Sequence, residues 1–410
     1  MTSPSIIRPD PCADLRLCTG SEARAPGTFE VLAQTPAGDA RSARLWTRHG
    51  PVETPCFMPV GTYGAVKGVA PQDLRDVGSQ IVLANAYHLT HRPGAERIRR
   101  AGGLHGWMGY DGPVLTDSGG YQVFSLRSLQ RIDDGGVEYR THFDGSYHRM
   151  TPRSVLQVQA ALGSDVCMIL DHCPPGDASD AALRDAMDRT ARWAGEAAEL
   201  RHEVLEDGQL CFGIVQGGVD LALRREHVDQ ISELAFDGLA LGGLSVGEPL
   251  PEMHATIAAV APTMPANKPR YVMGIGTPRD LLVAVRAGVD LFDCVIPSRH
   301  ARNGQVFTFD GTLNLRLARF RDDDSPIDAG CACLACASFS RAYLRHLHEQ
   351  RDPLYVRLAT IHNLYFFHQW VAVMRRAIHG GHFQLTASRL QAALNGEAGE
   401  PTAPSSPSSP

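Results

Sequence analysis

Three cysteines, Cys331, Cys333 and Cys336 in the run Cys-Ala-Cys-Leu-Ala-Cys, precede His362 in the segment Thr360–Leu364. Three thiolates and one imidazole complete a tetrahedral shell, the usual structural zinc arrangement. A closed shell leaves no position for water or substrate, so the zinc is expected to hold the fold and the chemistry to lie elsewhere. The alternative is three cysteines packed as small hydrophobes. Crowded thiolates repel one another unless a cation neutralises them, which opposes it.

The chemistry is sought among carboxylates. Asp117, Asp171 and Asp293 each close a short apolar run. Any one of them could be a helix cap, because Asp is favoured there. Three at separate run ends, converging on one cavity, point to function. Paired carboxylates suit glycosidic chemistry, in which one attacks the anomeric carbon and the other shuttles a proton. Asp293 lies between apolar Phe292 and Cys294 and is the better nucleophile candidate. Asp117 lies beside Ser118 and two glycines, and the nearby Tyr121 could stack on a flat ring. Asp171 could accept both donors of a guanine edge, while the backbone of Gly243 or Leu244 and the amide of Gln216 could read its carbonyl. Arg299 and Arg302 follow the last of these runs, where arginine suits phosphate; a solvated loop charge is the alternative.

These residues need a scaffold with one common mouth. Apolar runs at Pro55–Val60, Gln80–Ala86, Pro113–Thr116, Asp165–Leu170, Leu210–Val215, Gly238–Leu241, Tyr271–Met273 and Leu291–Cys294 read as strands. They alternate with helical stretches such as Ser179–Val204 and Pro278–Ala287, the pattern of parallel βα units. Eight strands close a (β/α)8 TIM-type barrel, whose strand ends line one mouth. A doubly wound open sheet is the alternative, but no glycine fingerprint of the G-x-G-x-x-G kind follows the first strand. The stretch Phe29–Thr54 alternates apolar and polar residues around turns at Pro36–Asp39 and His49–Pro51, and reads as an N-terminal antiparallel sheet. The metal cluster marks a C-terminal zinc-binding subdomain around residues 331–362. Residues 1–27 read as a mobile leader, 28–395 as the barrel unit with its subdomain, and 396–410 as a disordered Pro/Ser-rich tail.

Composition bounds the class. The chain has 410 residues, 43% of them hydrophobic, enough for one large barrel core. No apolar run reaches the roughly 18 residues of a membrane span, and no basic region leads into an apolar core at the N-terminus. Ten cysteines in so long a chain do not make a disulfide scaffold. Reduced cysteines and a zinc cluster together lead us to expect the cytoplasm. The net charge of −6 gives no sign of a nucleic-acid partner, but a local basic patch is compatible with it.

The chain resembles bacterial queuine tRNA-ribosyltransferases, also called tRNA-guanine transglycosylases. The matching stretches are Leu115–Val123, Gly213–Gly217, Gly242–Leu244 with Gly247-Glu248, Phe292–Cys294, Arg302–Gly304 and the Cys331/Cys333/Cys336/His362 set, in family order and spacing over residues 28–395. The resemblance implies exchange of wobble guanine in certain tRNAs for 7-aminomethyl-7-deazaguanine through a covalent aspartyl-ribosyl intermediate. It implies Asp293 as nucleophile and Asp117 as general acid/base. It implies base binding by Tyr121, Asp171, Gln216, Gly243 and Met273, with RNA contacts from Arg299 and Arg302. A structural Zn2+ and a homodimer follow from the same likeness. Cys173 and Val246 match the bacterial pocket for the small aminomethyl base. Two positions depart from the family pattern: Thr277 stands where many relatives have lysine, and His172 where an acidic residue is common.

Two other classes compete. A non-catalytic RNA-binding subunit would keep barrel and zinc but lose acids, and both Asp117 and Asp293 are kept. A zinc hydrolase would need an open metal position, which a Cys3His shell lacks.

Overall fold

The computed structural model describes residues 24–36, 38–125 and 130–395. Residues 1–23 of the leader and the whole tail 396–410 lie outside the described residues. A three-stranded antiparallel sheet opens the fold: β1 (Phe29–Gln34), β2 (Arg41–Thr47) and β3 (Gly50–Thr54). The barrel follows, built from β4 (Cys56–Gly61), β5 (Val82–Ala84), β6 (Val114–Thr116), β10 (Val166–Met168), β11 (Leu210–Val215), β12 (Gly238–Leu241), β13 (Arg270–Val272) and β14 (Leu291–Cys294). All neighbours are parallel and β14 pairs with β4 to close the ring, with Phe292 opposite Phe57. The open-sheet alternative is thereby removed.

The barrel is a packed core. Phe57, Met58, Phe212, Tyr271 and Phe292 are fully buried within it. Most strands are apolar on both faces, because the helices cover the outside and the core fills the inside. The N-terminal sheet covers the end opposite the site. Arg41 on β2 donates to the buried Asp290 carboxylate at 2.5 Å, just before β14. Arg48 donates to the carbonyls of Gly163 and Ser164, just before β10.

The strand expected over Gln80–Ala86 ends earlier, at Ala84. Asn85 accepts the N–H of His88 and caps a helix, Ala86–His91, and a capping residue cannot continue a ladder. The two expected helices run Asp180–Val204, capped by Ser179, and Pro278–Arg286, capped by Thr277. Thr277 and Asp280 form a reciprocal capping box there, so the threonine has a structural duty of its own.

Two elements lay beyond the sequence reading. An antiparallel sheet of β7 (Gln130–Asp133), β8 (Gly136–Arg140) and β9 (Tyr147–Met150) is inserted between β6 and β10. A hairpin of β15 (Gln305–Thr308) and β16 (Gly311–Asn314) follows the barrel. Helix Pro353–His379 then runs back along the barrel, where Phe367 meets Phe57 at 5.0 Å and Arg375 donates to the carbonyls of Glu53 and Pro55. It carries His362 to the metal cluster.

Candidate active site

A cavity of about 700 Å3 opens at the C-terminal ends of the barrel strands. Asp117 and Asp171 follow β6 and β10, and Asp293 is the third residue of β14; all three line this cavity. The parallel barrel makes this inevitable, since every strand ends at the same mouth.

Asp293 accepts the Tyr271 hydroxyl at 2.6 Å and the Gly274 N–H at 2.8 Å on one oxygen. Burial holds its carboxyl above the usual range, opposed by those two donors. Asp117 accepts from Ala86 N at 2.9 Å, Asn85 Nδ2 at 2.5 Å and Gln122 Nε2 at 3.2 Å. Its pKa is pushed up to about 7, first by burial and further by the negative charge of Asp293. Ala86 is the first residue of the helix that Asn85 caps, so Asp117 also satisfies one of that helix's otherwise free N–H groups. Asp171 is pushed up to about 6 by burial, against the Gln216 amide that donates at 2.6 Å. It caps no helix.

Among the base-binding candidates, Tyr121, Gly243 and Met273 line the cavity, and Tyr121 is 54% exposed at its rim. Gln216 stands one layer behind. It is fully buried, its Nε2 is committed to Asp171, and its Oε1 has no hydrogen-bond partner. Gly243 has φ +61°, and a Cβ there would come within 2.3 Å of Gln216 Oε1. Only glycine allows this turn to approach the amide so closely. Cys173 and Val246 both line the cavity, and burial pushes the Cys173 thiol up to about 12, so it stays neutral.

The two arginines part company. Arg299 is exposed and lines the cavity. Arg302 is half-buried and donates to Ser298 O at 2.9 Å, within its own helix, Ile296–Arg302.

Several supporting residues escaped the sequence reading. Asn85, Gln122 and Tyr271 hold the two carboxylates in place. Asn85 could have been found by the strand-end rule that found the aspartates. Arg224 and His227 lie on helix Leu221–Ser232 and give no such signal. Arg224 donates to the carbonyls of Val215, Gly218 and Gly243, tying the loop after β11 to the loop after β12. His227 Nδ1 accepts the Gln216 N–H at 2.8 Å. Burial drives its pKa down to about 3, so the ring stays neutral and keeps that acceptor.

The departure at His172 also has a local account. Its ring stacks on Phe124 with centroids 4.9 Å apart, and Arg189 Nη1 lies 3.0 Å from its Nδ1. Burial and that guanidinium press its pKa down to about 4. It therefore acts as a neutral ring under the helix that carries Tyr121.

The four cluster atoms come together away from this cavity. His362 Nδ1 lies 3.7, 3.5 and 3.3 Å from the sulfurs of Cys331, Cys333 and Cys336. A tetrahedral ion with sulfur bonds near 2.3 Å and a nitrogen bond near 2.0–2.1 Å demands about 3.5 Å between such atoms. His362 Nε2 faces the Phe307 carbonyl at 2.8 Å. Its proton belongs there, which leaves the Nδ1 lone pair facing the sulfurs. The set can hold a metal ion.

The sequence model of the family described as queuine tRNA-ribosyltransferase matches residues 37–395. The queuine tRNA-ribosyltransferase of Solidesulfovibrio magneticus is 50% identical over 368 residues, covering 90% of this chain and 98% of that protein. That of Desulforudis audaxviator is 48% identical over 365 residues, covering 89% and 98%. That of Neisseria meningitidis is 47% identical over 346 residues, covering 84% and 93%.

Proposed function

Because the chain belongs to the queuine tRNA-ribosyltransferase family, we propose for it the assignment of roles that follows. The enzyme is a tRNA-guanine transglycosylase, a pentosyltransferase that exchanges wobble guanine for 7-aminomethyl-7-deazaguanine. The observation that carries the residue roles is the meeting of Asp117, Asp171 and Asp293 in one cavity.

Asp293 attacks the ribose C1′ and forms a glycosyl ester as the C1′–N9 bond breaks. Tyr271 and Gly274 hold its attacking carboxylate and steady its charge before attack. Asp117, with a pKa near neutrality, is the proton carrier: it protonates the departing guanine and later takes the proton of the incoming base. Attack by the incoming nitrogen then restores free Asp293. Asp171 accepts the donor edge shared by guanine and its deaza analogues, with Gln216 steering it from behind. Gly243 offers its backbone, and Tyr121 and Met273 sandwich the base.

Cys173 and Val246 leave space for an aminomethyl group and crowd a bulkier substituent. Arg299 and Arg302 take the RNA backbone, Arg299 being the freer of the two. The cluster's thiolate-rich donor set is that of zinc, held for structure. Exposed Tyr343, stacked on Phe339 at 5.4 Å beside the cluster, fits a homodimer contact. Buried free cysteines fit the cytoplasm.

A guanine-exchange assay with unmodified tRNA and labelled guanine tests the reading. Incorporation that is lost in both Asp117→Asn and Asp293→Asn supports it. A protein that binds tRNA without exchanging base would instead be the non-catalytic subunit.

A further inference from the structure

A run of rings, Tyr63 and His142 exposed and His88 and Phe143 half-buried, leads away from the cavity on the side of helix Ala86–His91. His88 lines the cavity and meets Tyr63, which is 47% exposed, at 4.7 Å between centroids. On its other side His88 lies 6.1 Å from His142 and 6.0 Å from Phe143. His142 is exposed and lies 4.1 Å from Phe143, and the exposed Arg92 guanidinium sits 4.7 Å over the Phe143 ring. The His142 ring is held in place in advance: the Tyr87 hydroxyl bonds His142 Nδ1 at 3.0 Å, and Tyr87 itself is buried.

Nothing in the base-exchange chemistry uses this strip. The exposed faces of Tyr63 and His142 join the half-buried rings in one contiguous patch, and such a patch marks an interaction surface. Rings interleaved with a guanidinium form the platform that binds unpaired bases, because every base has a π-face and the cation answers its phosphate. One acid, Asp144, lies next in the chain to Phe143; it is exposed and is tied to Ser146. An enzyme that pulls one base out of its stack must also keep the flanking bases from restacking.

We propose that Tyr63, His88, His142, Phe143 and Arg92 form a stacking track for unpaired nucleotides flanking the exchanged guanine. His88 belongs to both cavity and track, so a strand anchored in one is delivered to the other. The inference rests on the RNA reading above for the identity of the strand.

The test is a titration of a synthetic anticodon stem-loop carrying 2-aminopurine beside the exchanged guanine. The unmutated protein should quench the probe on binding. Tyr63→Ala and His142→Ala should each weaken binding about 5- to 100-fold and restore fluorescence. Tyr63→Phe keeps the ring and should bind like the unmutated protein, which separates stacking from misfolding. The KM for free guanine and kcat at saturating RNA should not move. Unchanged affinity and quenching in the Tyr63→Ala/His142→Ala double variant overturns the track. So does a change of oligomeric state with RNA affinity intact, which would assign the strip to a second copy of the chain. Loss of base exchange on every tRNA, with these affinity losses still present, would fail the transglycosylase reading and leave the track standing.

Discussion

Asp293 and Asp117 differ in what surrounds them, and the roles we propose for them follow that difference. Asp293 has a hydroxyl and an N–H on one oxygen, which leaves the other free for attack. Asp293→Asn is expected to form no covalent protein–RNA adduct on denaturing gels, yet to bind tRNA. An adduct that persists in Asp293→Asn and vanishes only in Asp117→Asn would reverse the two roles. In the proposed reading Asp117 sets the pH dependence. Its pKa is raised, so the protonated form, the proposed donor to departing guanine, dominates below about pH 7 and is lost above it. Single-turnover guanine release should therefore fall as pH rises through about 7, by about tenfold per unit well above that point. Asp117→Asn should be slow and flat over the same range. A profile that falls through pH 7 in both proteins would place the titrating group elsewhere.

At the scale of elements, the eight barrel strands were legible because each is a short apolar run ended by small or polar residues. The inserted sheet was not, since its strands carry exposed Arg, Glu and Tyr side chains without a long apolar face. Its turn signal at Asp133-Asp134-Gly135-Gly136 was present, but a turn alone does not say what it joins. The metal cluster joins elements far apart in the chain: three ligands on a loop and a short helix, Leu334–Ser338, and one on helix Pro353–His379. Cys333→Ser should release the metal and lower Tm, because metal affinity here is folding energy. Metal-free protein that kept its Tm and exchange rate would show the cysteines to be mere packing residues. Gly243→Ala should weaken base binding, since it adds backbone strain of about 1–2 kcal/mol and a clash with the Gln216 amide. Unaltered KM for guanine in that variant would remove the glycine from recognition.

For the whole molecule, a net charge of −6 is compatible with an RNA partner met by local basic groups such as Arg299 at the cavity. No helix among the described residues is long and apolar enough to cross a membrane. Binding should still weaken with salt. Arg299→Ala should flatten the slope of log K against log salt by about 0.7–0.9, the loss of one phosphate contact. Arg302→Ala should change it less, because that guanidinium already holds the Ser298 carbonyl. Equal slopes for Arg299→Ala and the unmutated protein would place that side chain away from the RNA.

The chain's local patterns alone determined the eight barrel strands, the strand-end aspartates and the Cys3His spacing. These are written in nearest neighbours and in short periods, which survive in one dimension. What only the tertiary structure decided is which of those residues support one another. The place of Gln216 behind Asp171 and the reach of Arg224 to the Gly243 carbonyl both depend on contacts between separate segments. So do the pKa values: Asp117 rises to about 7 through burial and the charge of Asp293, and neither exists until the barrel closes.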